Sequence, residues 1–128
     1  MSTRCQIGIY DESEAKTHEP DALLYKHSDG YEEGTLPILK EFHKKFRESR
    51  GFFDAEYFAA RLIQHLTNDA DYADSMTGYG ISKSLHADIE YYYAVYPDRI
   101  EMYETGGLLG ATDEDDFKEF NLIKTVKV

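Results

Sequence analysis

The chain contains one cysteine and no tryptophan among its 128 residues. Because the single Cys5 cannot form an intrachain disulfide, the sequence excludes the class of small secreted proteins that disulfides hold together. No apolar run approaches the roughly 20 residues that a membrane-spanning helix needs. Residues 1–4 do not form a basic-then-apolar leader. These absences predict a cytoplasmic protein, bacterial or in an infected host cell, that makes no membrane contact.

Basic residues are also scarce, since 14 Lys and Arg stand against 25 Asp and Glu and give a formal net charge of −11. Affinity for phosphate backbones comes largely from Lys and Arg, so no direct binding to nucleic acid is expected. The charge is uneven: residues 36–51 hold five bases and two acids, whereas residues 52–120 hold fifteen acids and four bases. The sequence predicts one basic helix on an acidic body, whose acidic surface either contacts a basic partner or serves solubility alone.

The chain has enough apolar material for one core. Its hydrophobic content is 41%, and 128 residues are too few for two ordinary domains, so we predict a single domain over residues 1–128. Eleven Tyr and seven Phe make the chain rich in aromatic side chains. Phenolic rings suit both a core and a binding surface.

Alternating apolar and polar residues predict two strands near the start of the chain. Residues 4–10 place Cys5, Ile7 and Ile9 on one face. A polar stretch then leads to a second strand over 22–27, which most simply pairs antiparallel with the first. The first element pair is therefore a hairpin with a long loop.

Two amphipathic helices are predicted next. Thr35 is the expected N-cap of the first helix, which runs through residue 50 and stops at Gly51. Asp54 is expected to cap the second helix, which ends near Asn68. The large apolar residues expected to face the sheet are Phe42, Phe46, Phe58, Leu62 and Leu66.

The second half of the chain is predicted to complete the sheet. A loop over 68–80 precedes a strand over 88–96, which turns into a strand over 100–103. A short acidic helix at 113–119 and a last strand at 122–128 follow. The prediction is an α+β fold with a mainly antiparallel sheet in ββααββ(α)β order and the two amphipathic helices on one face.

Two copies of a His-x-Asp pattern are the main chemical signal. His27 with Asp29 and His86 with Asp88 lie on opposite sides of the helical middle. On a strand, this spacing turns both side chains to one face. If the two segments adjoin, their four groups form a candidate site for Zn, Mn or Fe, or a metal-free general base. The alternative is that Asp29, before Gly30, belongs to an ordinary turn and that Asp88 is only a polar residue on a strand face.

Other residues are candidates for binding without chemistry. Arg4 lies near the predicted positions of Lys26 and His27, which suggests a small positive site for an anion. The hairpin over 88–103 carries tyrosines on both faces, so we expect a partly exposed aromatic patch. The candidate contact residues are Arg4, Tyr31, Tyr92, Tyr96 and Tyr103.

Three segments carry a family resemblance. Residues 1–7 (MSTRCQI), 24–31 (LYKHSDGY) and 86–91 (HADIEY) resemble a group of small, uncharacterised bacterial and phage proteins. In that group proline usually follows the tyrosine of the Asp-Gly-Tyr segment, whereas here Glu32 follows Tyr31. The resemblance implies a bacterial or viral source and assigns no activity or catalytic residue.

The sequence favours a binding protein over an enzyme, because no catalytic signature accompanies the acidic charge. The expected partner is another protein, and the expected role is a phage or mobile-element inhibitor of a host factor, with no cofactor. The alternative is a small metal-dependent hydrolase or nucleotide-binding protein that uses the His-x-Asp pairs and Arg4 and holds a divalent metal.

Overall fold

The computed structural model describes residues 3–12, 19–68, 78–105 and 120–128, which contain six strands and two helices. In chain order these elements are β1 (Cys5–Ile9), β2 (Ala22–Lys26), α1 (Glu32–Arg50), α2 (Ala55–Leu66), β3 (Tyr79–Ile81), β4 (Tyr91–Val95), β5 (Arg99–Glu104) and β6 (Asn121–Lys127). None of the helices in these described ranges is long and apolar enough to cross a membrane.

All six strands join one sheet in the order β3-β2-β1-β4-β5-β6. The central pair, β1 and β4, is parallel, and every other neighbouring pair is antiparallel. The predicted α+β class and mainly antiparallel sheet are confirmed. The predicted element order lacked β3, because a three-residue strand is too short to show alternation. The helix predicted at 113–119 lies outside the described residues.

The sheet has apolar side chains on both faces. The helix face, covered by α1 and α2, carries Ile7, Ile9 and Val95 among its fully buried residues. The predicted apolar stripe of the helices reaches this core, since Phe46, Phe58 and Leu62 are buried there while Phe42 and Leu66 lie at its margin. The opposite face, here called the tyrosine face, contains a second buried cluster: Tyr10, Leu23, Leu85, Ile89, Tyr92, Ala94 and Tyr96.

Two predicted element starts are wrong. Helix α1 begins at Glu32, after Tyr31, so Thr35 lies inside the helix instead of capping it. Strand β4 begins at Tyr91, and the segment before it is a turn that directs Ile89 to the tyrosine face. Both errors arise where a local pattern continues across a turn. The predicted cap Asp54 is confirmed, since its carboxylate accepts hydrogen bonds from the backbone N–H groups of Glu56 and Tyr57.

Candidate functional sites

The two His-x-Asp segments lie near each other because β1 separates β2 from β4 by only one strand. His27 directly follows β2, and the turn before β4 carries His86 and Asp88. Arg4, immediately before β1, lies between them. Together with Tyr25 of β2, these side chains form what we call the arginine–histidine cluster: Arg4, Tyr25, His27, His86 and Asp88.

Arg4 connects the two segments. Its Nε lies 3.4 Å from Nδ1 of His27, and its Nη1 lies 3.3 Å from Oδ2 of Asp88. An arginine Nε–H can only donate, so Nδ1 of His27 must accept and carry no proton. Since Arg4 and Asp88 are 36% and 51% exposed, this ion pair contributes only weakly to stability.

Tyr25 joins both histidines on the tyrosine face. Its hydroxyl lies 2.8 Å from Nδ1 of His27, and its ring stacks on His86 with centroids 4.5 Å apart and an angle of 25°. Desolvation by burial, followed by the charge of Asp88, raises the pKa of Tyr25. The hydroxyl therefore stays protonated at neutral pH and acts as a hydrogen-bonding group.

The exposed His86 is held in place by Gln6 of β1. The fully buried Gln6 side chain donates to the backbone oxygen of Ser84 at 3.2 Å and accepts from the backbone N–H of His86 at 2.8 Å. A buried amide with both ends bonded fixes the turn against the sheet. Gln6 is a polar residue inside an apolar strand, which is a local signal for this role, but its two partners are distant along the chain.

The fourth predicted metal ligand, Asp29, makes different contacts. Its backbone is left-handed (φ 58°), and its carboxylate accepts a hydrogen bond from the Tyr31 hydroxyl at 3.2 Å. This is the turn alternative considered for Asp29. Within the described ranges, no group of three or more His, Cys, Asp or Glu side chains is arranged to hold a metal ion. The structure thus brings His27, His86 and Asp88 to one cluster and leaves Asp29 in a turn.

Lys26, which the sequence placed with Arg4 and His27 in a small positive site, is instead a buried charge. It points to the helix face, where its Nζ donates to the backbone oxygens of Gly34 and Asp29 and to the hydroxyl of Thr35. Desolvation lowers the pKa of Lys26, while the thiol of Cys5 and Asp29 oppose that shift. Burial raises the pKa of Cys5 to about 12, so this thiol is not a nucleophile. Lys26 fixes the start of α1.

The expected exposed tyrosine patch on the β4–β5 hairpin is wrong for two of its members. Tyr92 and Tyr96 are 2% and 7% exposed, because β4 lies inside the sheet and the turn residues Leu85 and Ile89 cover part of its tyrosine face. Tyr103 is partly buried and donates to Glu101 at 2.6 Å. Of the predicted contact tyrosines, Tyr31 is the exposed one, at 40%.

An exposed aromatic group lies instead where α1 turns into α2. Phe52 and Tyr57 are 55% and 53% exposed, and the Arg50 guanidinium lies over both rings, 4.7 Å and 4.5 Å from their centroids. We call these three residues the corner surface. The sequence pattern did not predict the corner surface. Phe52 precedes α2, and nothing in its spacing distinguishes Tyr57 from the other aromatic residues of the helices.

A basic groove adjoins the corner surface. It has a volume of about 490 Å³ and ends at Gly51, the residue before Phe52. The residues that line this groove are Lys40, Lys44, Arg47, Glu48, Gly51, Lys127 and Val128. Its lining has four exposed cationic side chains and one side-chain carboxylate, and Arg47 donates to the backbone oxygen of Val128 at 3.3 Å. It is the positive region that the charge pattern of α1 predicted.

No family model, curated protein or solved structure matches the chain. The candidate functions therefore depend on the geometry of these two regions.

Proposed function

We propose that this protein works by binding another protein through the corner surface and the adjoining basic groove. The observation that carries the proposal is the pair of half-exposed rings, Phe52 and Tyr57, whose centroids both lie within 4.7 Å of the Arg50 guanidinium. Aromatic side chains and arginine are enriched in the residues that dominate binding energy at protein interfaces. Isolated exposed apolar residues are common, but two rings organised around one guanidinium form a ready contact site.

The groove suggests a partner segment that carries carboxylates. Lys40, Lys44, Arg47 and Lys127 are basic groups on a protein whose net charge is −11. That net charge opposes an acidic partner at long range, but screening at physiological ionic strength acts within about 8 Å. The charges at the contact therefore decide the specificity, and a partner that places acidic groups in the groove and an apolar group on the rings fits both features.

A nucleic acid fits this surface less well than a protein segment. Duplex DNA carries one charge per roughly 1.7 Å of its length. A long run of phosphates would extend from the groove onto the acidic remainder of the molecule. A protein segment with a few carboxylates satisfies the groove without that repulsion.

Binding through this surface gives the protein the role of an inhibitor. A protein that binds in this way acts by occupying its partner's surface, which is how an inhibitor of a host factor works. We place this activity in the cytoplasm of a bacterial or infected host cell. It requires no cofactor.

A displayed library of random dodecapeptides selected on the folded protein tests the proposal. We expect selected peptides to be enriched in Asp and Glu next to an aromatic or leucine residue. Synthetic versions should lose about tenfold or more in affinity when Tyr57→Ser or Lys44→Glu is introduced. Fluorescence anisotropy measures each Kd, and the thermal midpoint of each variant reports folding.

Two matched controls accompany these variants. Tyr31→Ser removes an exposed tyrosine elsewhere, and Lys45→Glu makes the same charge change on α1 outside the groove. Both should retain wild-type affinity within about twofold. Peptides without acidic enrichment, or equal losses in the Lys44 and Lys45 variants, would contradict the proposed surface.

A further inference from the structure

We propose that the arginine–histidine cluster is a second binding site, and that its ligand is a mononucleotide. This inference is independent of the proposed protein partner, because the cluster lies at the ends of β1 and β2 whereas the corner surface lies between the helices. Three properties of the cluster carry it: an arginine with donors to spare, a histidine that orients this arginine, and a supported ring that is open on one side.

Arg4 provides the anion-binding group. Its guanidinium has five N–H donors; the contacts to His27 and Asp88 use Nε and Nη1, and a further donor bonds the Tyr25 hydroxyl. The carboxylate of Asp88 is half exposed, and such surface pairs contribute about 0–1 kcal/mol. A phosphate carries more charge than a carboxylate and bonds to two guanidinium N–H groups at once, so it can replace Asp88.

His27 positions Arg4 for this role. Because its Nδ1 accepts from Arg4, the neutral imidazole carries its proton on Nε2. The Tyr25 hydroxyl, 2.8 Å from the same Nδ1, holds the ring in this orientation. His27 therefore orients the Arg4 guanidinium, and the phosphate binds the Nη groups that His27 does not contact.

His86 supplies a platform for a planar group. One side of its ring lies on Tyr25, and the residue is exposed, so its other side faces solvent. Gln6 fixes the backbone of His86, which reduces the ordering that a ligand would otherwise require. A nucleobase that stacks on such a ring contributes sequence-tolerant affinity.

A phosphate group and a planar base on one small molecule match these two features together. A long nucleic acid does not, since the acidic body repels a chain of phosphates. We therefore assign the site to a single nucleotide instead of a polymer. A free phosphate would use Arg4 alone, and a nucleoside would use His86 alone.

Calorimetric titration of the full chain with AMP, adenosine and inorganic phosphate tests the assignment, and a tetra-adenylate oligonucleotide tests the polymer alternative. We expect AMP to bind about tenfold or more tightly than either adenosine or phosphate. Arg4→Gln should reduce AMP binding to the adenosine level, and His86→Ala should reduce it to the phosphate level. Arg4→Lys should recover only part of the loss, because lysine keeps the charge and lacks the fork.

Arg61→Gln and His65→Ala are the controls, since they remove the same residue types from exposed positions on α2. Both should bind AMP like the wild type, and all variants should keep its thermal midpoint within a few degrees. No AMP binding at millimolar concentration, equal loss in the Arg4 and Arg61 variants, or tighter binding of the oligonucleotide than of AMP would each overturn the site.

Discussion

The hydroxyl oxygens of Tyr10 and Tyr92 lie 2.7 Å apart on the tyrosine face of the sheet, next to Gly8 of β1. A Cβ atom at Gly8 would be 1.7 Å from the Tyr92 oxygen. Burial raises the pKa of both phenols, so the pair remains uncharged at neutral pH. The central strand therefore has a glycine where two buried phenols meet.

Gly8→Ala should destabilise the protein by about 1–3 kcal/mol or more, because the added methyl group displaces Tyr92 from a closely packed site. Gly80→Ala in β3 is the matched control, since a Cβ there meets no atom within 4 Å. We expect that control to be neutral or slightly stabilising. Urea unfolding monitored by circular dichroism measures both changes, and equal midpoints would contradict the steric explanation.

A buried histidine should make stability depend on pH. The fully buried His43 lies with its Nε2 2.8 Å from the backbone oxygen of Tyr96, to which it donates. Its Nδ1 is buried and has no hydrogen-bond partner among the described residues. Burial lowers the pKa of His43 from its usual value near 6.5, although the Tyr96 carbonyl acts in the opposite direction.

Because the folded-state pKa of His43 is lowered, the unfolded chain takes up a proton first as pH falls below about 6.5. Stability is then lost from that pH down to the lowered folded-state pKa. His43→Phe keeps the ring stacking against Phe53 and removes the titration. Its stability deficit relative to wild type should be largest at pH 7.5 and smaller at pH 5.0 in urea unfolding. A deficit that does not change with pH would contradict this assignment. His65→Ala is the control, because it removes an exposed histidine and leaves the buried His43 in place.

The buried Lys26 should be needed to order the segment before α1. Lys26→Met removes three hydrogen bonds and leaves the oxygens of Gly34 and Asp29 and the Thr35 hydroxyl without this donor. Although the Asp29 oxygen keeps its hydrogen bond from Thr35, losing a charged donor at a buried site should cost about 1–3 kcal/mol. Hydrogen exchange should accelerate at the Gly30 and Gly34 amides, whereas Lys83→Met, at an exposed position, should leave both rates unchanged.

Phe58 should be the most sensitive of the aromatic residues on the helices. It is completely buried on the helix face, and its ring centroid lies 5.0–5.1 Å from the ring centroids of Phe42, Phe46 and Phe53. Phe58→Ala should lower the free energy of unfolding by about 3–5 kcal/mol, because the vacated volume cannot collapse fully. Phe52→Ala on the exposed corner surface is the control and should change the free energy of unfolding little. Comparable losses in the two variants would contradict the burial of Phe58 against the other rings.

Much of the fold could be predicted because its signals are local. The stripe that includes Phe46 and Phe58, the stop at Gly51 and the cap Asp54 depend on residues close in sequence. The failures have physical causes. Thr35 is a residue type that often caps helices, and its hydroxyl does donate to the nearby backbone oxygen of Asp29. However, the same hydroxyl accepts a hydrogen bond from Lys26, which lies on another element. The alternation through Ile89 continued into a turn that periodicity cannot detect.

The sites were harder to predict than the fold. The sequence predicted that His27 and His86 lie close together only if their two segments adjoin, because the distance between them depends on the strand order. Tyr25 shares the spacing that puts it on the same face as His27, so that part of the signal was present. The stacking of His86 and the two hydrogen bonds of Gln6 depend on distant pairings, and no spacing within the chain encodes them.

The parallel pairing of β1 with β4 also bears on how the molecule is made. Cys5 lies opposite Tyr91, and both helices and β3 intervene along the chain. During synthesis β1 emerges early, yet one of its edges has no neighbour until β4 has left the ribosome. Until then Ile7 and Ile9 belong to a strand with an open edge, which is a surface that a chaperone or another nascent chain can bind. Once the second half of the chain is released, β4 pairs with that edge of β1. The order of translation therefore determines how long an aggregation-prone edge stays exposed.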